Sequence, residues 1–425
     1  MIIKNIYISI CLFILLSFLF LWNISILNIS ELDILDINFK NISIKFNYLI
    51  FFLLFFIFNK KQNYEYFFQQ RKIIILCLFI IIHYLINSFY DNKFEIKNIF
   101  IILSIPLLGF IYSNYRNFLI ENFKKILIIF FILFIFFSIY ENPKYNIGSC
   151  NADYFLITLL KDKFNITFSN SIFAENSHLA MMMVPVIISS IFIHLNEKKK
   201  SFLFLLCLIV SIIISILNFS TTFYISYFIS IIVLFIFFFK KIFFKFYLSS
   251  FIFLIFISIF FFKDTNCKKK ITDFNVQDIF EQKVQKGNKN LTTVIYERSA
   301  IISFRTLQYR PFGWGLNGMK KANENLIKEY GYIKPYEVSL LNIEDGLNNF
   351  FKIITEFGFF SVIIAYQFFK YILSLKKINE FNIFIIILFL TLCIRGAGYF
   401  NAGFIFCIFE FFYFFHRKEK IKTQI

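Results

Sequence analysis

The chain has 425 residues, 59% of them apolar and only 16% charged, with a mean hydropathy of +0.70. Soluble globular chains carry about a quarter charged residues, so an ordinary water-soluble domain is excluded. The net charge of +18 does not signal nucleic acid, because the Lys and Arg clusters stand at the ends of apolar stretches, as the positive-inside rule and anionic headgroups require.

An apolar stretch of about 17–25 residues crosses the hydrocarbon core as a helix. Lipid admits only helices and closed barrels, which keep every backbone polar group bonded. Barrel strands alternate polar and apolar residues, whereas stretches such as Ile73 to Phe89 and Phe243 to Phe262 are apolar all round. The sequence therefore predicts an all-α polytopic membrane protein. It is one integral membrane domain over residues 1–425, with about twelve transmembrane helices. In chain order they are read at roughly 6–27, 46–58, 73–90, 98–113, 126–140, 172–195, 202–217, 221–239, 243–262, 347–373, 381–394 and 398–415. The first follows Lys4, lacks a small-residue cleavage site and reads as a retained helix, not a signal peptide.

Alternate connections are basic. They hold Lys60, Lys61, Arg71 and Lys72; Arg116, Lys124 and Lys125; Lys198 to Lys200; Lys240, Lys241 and Lys245; Lys376 and Lys377; and the tail from Arg417. The expected topology has both termini in the cytoplasm. Two outside connections are long, 141–171 and the large loop 263–346. The latter contains Trp314, several Tyr and helical stretches, so it reads as folded; loops of that length are functional or disordered. Cys11, Cys77, Cys207, Cys393 and Cys407 lie in apolar stretches as small core residues. Cys150 and Cys267 fall in the two outside loops, and spacing alone does not establish a bond between them. No Cys-x-x-Cys pair or His/Cys cluster suggests a metal.

The informative stretch lies in the large loop. Residues from about Thr293 to Tyr309 fit an amphipathic helix with Ile301, Phe304 and Leu307 on its apolar side, ended by Pro311. Arg298 and Arg305 are two turns apart on one stripe. Two guanidinium groups so spaced can converge on a diphosphate in bidentate fashion; the alternative is an interfacial helix whose arginines meet lipid phosphates. Gly313-Trp-Gly-Leu-Asn-Gly318 matches G-x-G-x-x-G in letters, but no strand precedes it, so it reads as a tight turn or close backbone approach and not as a dinucleotide site.

Further polar residues gather near the outer face. Glu344 and Asp345 precede the tenth helix, where they either favour its N-terminus or serve as a general base for an acceptor hydroxyl. Glu356, Arg395 and Glu410 lie in or beside apolar helices and need a partner or a wet cavity. A Glu356–Arg395 pair is one expectation, and Glu410, near an inner end, is read as snorkelling. Glu175-Asn-Ser-His178 opens the sixth helix with a candidate sugar contact, whereas His83, His194 and His416 read as structural or cytoplasmic.

Three pieces together resemble the O-antigen polymerase and O-antigen ligase superfamily of envelope glycosyltransferases. They are Phe173-Ala-Glu-Asn-Ser-His-Leu-Ala180, the Arg298/Arg305 helix followed by Pro311-Phe-Gly-Trp-Gly-Leu-Asn-Gly318, and Asp345-Gly-Leu-Asn-Asn-Phe-Phe-Lys-Ile-Ile-Thr-Glu-Phe-Gly358. The large outside loop matches the family layout. The resemblance implies transfer of a glycan from undecaprenyl diphosphate on the outer side of the inner membrane, without metal, nucleotide or other cofactor. It implies Arg298 and Arg305 on the diphosphate and Asp345, or else His178, on the acceptor hydroxyl. Glu175, Asn176, Arg310, Asn348 and Arg395 complete the candidate substrate contacts. Expected partners are undecaprenyl-diphosphate-linked glycans, membrane lipids, and chain-length regulator and flippase proteins. Ligases of the family carry a His in the loop-exit motif; Asp345-Gly-Leu-Asn348-Asn349 has none, which favours the polymerase over a ligase or a protein oligosaccharyltransferase. A flippase is the reading from another class, and it would concentrate polar groups near the midplane.

Overall fold

The computed structural model describes residues 71–91, 96–140, 176–198, 200–217, 220–263, 276–280, 291–328, 348–396 and 403–412, with the single positions 274 and 343. Among the described residues all regular structure is helical and no strand occurs. The predicted spans 6–27 and 46–58, the connection 141–171, Cys11, Cys150, Cys267, Glu175, Glu344 and Asp345 lie outside them.

The centre is built from helices that are apolar on every face. Helix α3 (Asn176–Asn196) is buried on all sides from Leu179 to Ile193, and α12 (Glu380–Ile394) from Phe381 to Phe389. Such sequences have no polar stripe to turn outward and so become core. The two pack along each other as the most extensive helix pair, with α5 (Thr221–Phe238) against both. Local signals fix where they begin. Ser220 caps α5 by accepting from the Phe223 N–H at 3.2 Å. Asn379 and Asn382 form a reciprocal capping box at the start of α12.

The remaining long helices surround this centre: α1 (Arg71–Asp91), α2 (Ile96–Tyr140), α4 (Phe202–Leu217) and α6 (Phe244–Lys263). Each is apolar on its outer face too. On α1, Ile75, Ile82, Ile86 and Phe89 are exposed while Ile73, Cys77 and Tyr84 are buried; α6 exposes Leu248, Ile252, Ile255 and Ile259. A surface of this kind suits hydrocarbon and not water. Among the described residues, three helical segments are long and apolar enough to cross a membrane by length and composition: Leu179–Asn196, Thr221–Phe238 and Asn349–Ser374.

Three predicted spans are revised. Residues 98–113 and 126–140 are not separated by a loop, because the intervening basic segment is itself helical and α2 runs without interruption from Ile96 to Tyr140. No Gly or Pro occurs between Phe110 and Tyr140 to end it, and Arg, Glu and Lys are good helix formers. The predicted span 347–373 is broken instead. It comprises α10 (Asn349–Phe357), a 3₁₀ turn (Gly358–Phe360) and α11 (Ser361–Ser374).

Glu410 does not snorkel. On α13 (Gly403–Phe412) it is fully buried and accepts from Arg116 Nε at 2.7 Å and Nη2 at 2.5 Å and from the Tyr112 hydroxyl, with Tyr371 of α11 at 3.5 Å. Asn382 of α12 donates to the Tyr371 hydroxyl at 2.8 Å. Four helices are thus tied at one buried ion pair.

Candidate functional site

The site is organised around α8 (Leu291–Tyr309), which packs mainly on α10 and also on α7 (Val276–Phe280) and α9 (Met319–Lys328). Its stripe of small hydroxyl residues makes the α10 contact. Ser303 Oγ lies 2.8 Å from the Ser299 carbonyl and 3.0 Å from both the Phe351 carbonyl and Thr355 Oγ1. Thr306 Oγ1 accepts from Trp314 Nε1 at 3.1 Å. Small side chains let the two helices approach and share these bonds.

The amphipathic expectation for α8 is only half met. Ile301 is buried, but Phe304 is 48% exposed, whereas Arg298 and Arg305 are 2% and 3% exposed. The two guanidiniums therefore lie inside the protein, not on an interfacial surface. Burial pulls the Arg298 guanidinium down to about 10, still charged at neutral pH.

The glycine-rich loop after α8 closes over the break in α10. Trp314 N–H donates to the Thr355 carbonyl at 3.0 Å and Gly315 N–H to the Glu356 carbonyl at 2.9 Å; Phe359 N–H donates to the Pro311 carbonyl at 2.8 Å. The carbonyls freed where α10 ends are thereby satisfied by loop N–H groups, as backbone in a dry setting demands. Gly313 (φ +83°) and Gly358 (φ +57°) permit this: a Cβ on Gly313 would strike the Glu356 carbonyl, and one on Gly358 the Pro311 carbonyl. The reading of Gly313 to Gly318 as a tight turn with close backbone approach holds.

Several predicted residues have defined positions. Glu356, fully buried, accepts from the Asn317 N–H at 3.1 Å and the Met319 N–H at 3.3 Å, and Lys352 Nζ is 4.0 Å away. Its carboxylate is thus engaged at the start of α9, where an anion is favoured. Asn348 is the N-cap of α10, its Oδ1 accepting from the Phe351 N–H at 2.7 Å. Arg310 stacks over the Trp314 ring at 4.3 Å. Arg395 ends α12 and is drawn to α8: Tyr296 Oη donates to the Ile394 carbonyl at 2.6 Å, and the Arg395 charge opposes the rise that burial imposes on the Tyr296 phenol. Arg298 and Arg305 thus lie on α8, Arg310 lies beside the C-terminal end of α10, Asn348 lies at its N-terminal end, and Arg395 lies at the end of α12 next to Tyr296. Asn176 and His178 occupy the first turn of α3; Glu175 and Asp345 lie outside the described residues.

Sequence reasoning missed Lys352 and the partner of His83. Lys352 is buried beside Glu356, and its position one turn before that residue was the available signal. His83 of α1, read as structural, is buried, and its Nε2 meets the Phe312 carbonyl of the loop at 2.7 Å. One turn later, Asn87 lies where a Cβ on Gly315 would fall. Nothing local in α1 announces this contact. Chemically, the assembly presents a set of buried cations that suits a polyanionic group excluded from water. No family model, curated protein or solved structure matches this chain.

Proposed function

We propose that the protein is a membrane glycosyltransferase that polymerises oligosaccharide repeat units carried on undecaprenyl diphosphate. The observation that carries this reading is the burial of Arg298 and Arg305 on one helix, with Lys352 and Arg395 close by, in a chain that is otherwise apolar. Charges are costly to bury, and such a cluster is retained where it meets a charged substrate. In the reaction the acceptor hydroxyl attacks the anomeric carbon and the bond to the diphosphate breaks. Arg298 and Arg305 stabilise the negative charge that grows on the departing diphosphate. Asp345 takes the hydroxyl proton, with His178 as the alternative base.

In this reading the chain lies in the bacterial inner membrane and the 263–346 loop faces the periplasm. Membrane lipids surround it, and chain-length regulator and flippase proteins are its natural partners. Loss of one transition-state charge contact costs about 10²–10³ in rate. Arg305→Ala should therefore leave single repeat units on the cell surface and remove long chains from a glycan gel ladder. A normal ladder from the correctly inserted variant refutes the assignment, and repeat units trapped inside the cell would indicate a flippase.

A further inference from the structure

Two helices fix the level of the turn that joins α8 to α9. The first is α1, whose outer stripe of Ile75, Leu78, Ile82, Ile86 and Phe89 is apolar and exposed along the whole helix. The turn makes its contacts with other residues of α1: His83 Nε2 meets the Phe312 carbonyl at 2.7 Å, and Asn87 lies against Gly315. Phe89 is six residues beyond His83. At 1.5 Å per residue the apolar surface of α1 therefore continues about 9 Å past the level of Phe312.

The second is the segment Asn349–Ser374, long and apolar enough to cross a membrane but broken at Gly358–Phe360. At that break the Phe359 N–H donates to the Pro311 carbonyl of the turn. From the break to Ser374, just before Lys376 and Lys377, α11 has 14 residues and is about 21 Å long. Its outward Val362, Tyr366, Phe369 and Leu373 are exposed. A hydrocarbon core of about 30 Å exceeds that length by about 9 Å. Both helices thus set the turn the same distance inside the core.

The chemistry of the turn suits that depth. Non-helical backbone is tolerated in hydrocarbon only where protein satisfies it. The N–H groups of Gly313, Trp314, Gly315, Asn317 and Gly318 all bond to protein oxygens. His83 donates to the Phe312 carbonyl, which gives a polar residue in an apolar helix its purpose. The Phe312 ring, by contrast, is 62% exposed, with Phe360 stacked beside it at 5.5 Å. An apolar ring exposed at this level has lipid next to it, as the stripes of α1 and α11 do.

We infer that residues 310–315 form a re-entrant turn and that phospholipid acyl chains cover Phe312, in the leaflet where α1 ends. Hydropathy alone would leave Arg310-Pro-Phe-Gly-Trp-Gly315 in water, because it contains no apolar run. The inference does not depend on the glycosyltransferase reading, since a flippase with this fold would share it.

The test uses the full chain in nanodiscs of phosphatidylcholine and phosphatidylglycerol. The photo-crosslinker benzoylphenylalanine is placed at position 312, at position 252 on the outer face of α6, and at position 324 on the charged face of α9. Irradiation at 312 is expected to attach a phospholipid mass to the peptide in a yield like that at 252, with none at 324. Phe312→Cys gives a second measurement, with Cys150→Ser and Cys267→Ser removing the thiols predicted in the outside loops. Each unit by which hydrocarbon raises a thiol pKa cuts the reactive thiolate about tenfold. Phe312→Cys should therefore react with a membrane-impermeant maleimide at least about tenfold more slowly than Glu324→Cys. Lipid adducts present at 252 but absent at 312, or equal reaction of the two cysteine variants, overturn the inference. Crosslinks from 312 to a second copy of the chain, seen as a dimer band, overturn it as well. A normal ladder from Arg305→Ala would remove the polymerase reading and leave the re-entrant turn standing.

Discussion

Glu410 offers the sharpest test of the packing argument. It is fully buried on α13 and receives both Nε and Nη2 of Arg116 from α2, at 2.7 and 2.5 Å. Glu410→Leu would leave the Arg116 guanidinium, itself buried, without its counter-charge. Removing one partner of a buried pair costs about 3–5 kcal/mol, roughly two to three and a half decades in the folded fraction. Removing both partners is far milder, because an apolar pair of similar volume needs no solvation. Arg116→Leu/Glu410→Leu is therefore expected to recover most of the loss, to within about 1 kcal/mol of the parent. The assay is equilibrium unfolding of purified protein in mixed micelles, run as a double-mutant cycle. If Glu410→Leu unfolds like the parent, or the double variant is no better than the single, the pair does not hold α2 to α13 and the argument fails.

Two other outcomes follow from the site. Gly313→Ala forces a positive φ on an L side chain and drives its Cβ at the Glu356 carbonyl. It should destabilise the loop by about 1–3 kcal/mol, seen as faster proteolysis between α8 and α9; unchanged proteolysis would contradict the docking of the loop on α10. Arg298 should trade stability for function. Burial lowers its folded-state value to about 10, below the ordinary 12.5, so the charged form disfavours the fold at neutral pH and the penalty shrinks only as pH rises through 10. Arg298→Met should therefore raise unfolding stability by about 1–3 kcal/mol while removing long glycan chains, and a destabilised Arg298→Met would refute the sign.

Much of the helix inventory was legible because it depends on local composition. The expected 202–217 is the observed Phe202–Leu217, and 381–394 differs from Glu380–Ile394 by one residue. An apolar run bounded by Asn, Ser or Lys announces its own ends. The breaks were less legible. Basic residues between 113 and 126 suggested a loop, yet they are compatible with helix and nothing there forbids it. Gly358 looked like one residue within a long span, and only the Pro311 carbonyl packed against it shows why the helix stops.

By itself, the sequence determined the all-helical class, the apolar outer surface and the candidate stripe of Arg298 and Arg305, since each follows from residue type and spacing along one helix. Tertiary structure alone decided what those residues meet. Arg116 finds Glu410 across 294 residues, and His83 finds Phe312 across 229. Phe304 is left exposed while the two arginines are buried. A helix repeats its own period whatever packs beside it, but a buried charge or an unpaired carbonyl takes its partner from whichever element the fold brings within about 3 Å.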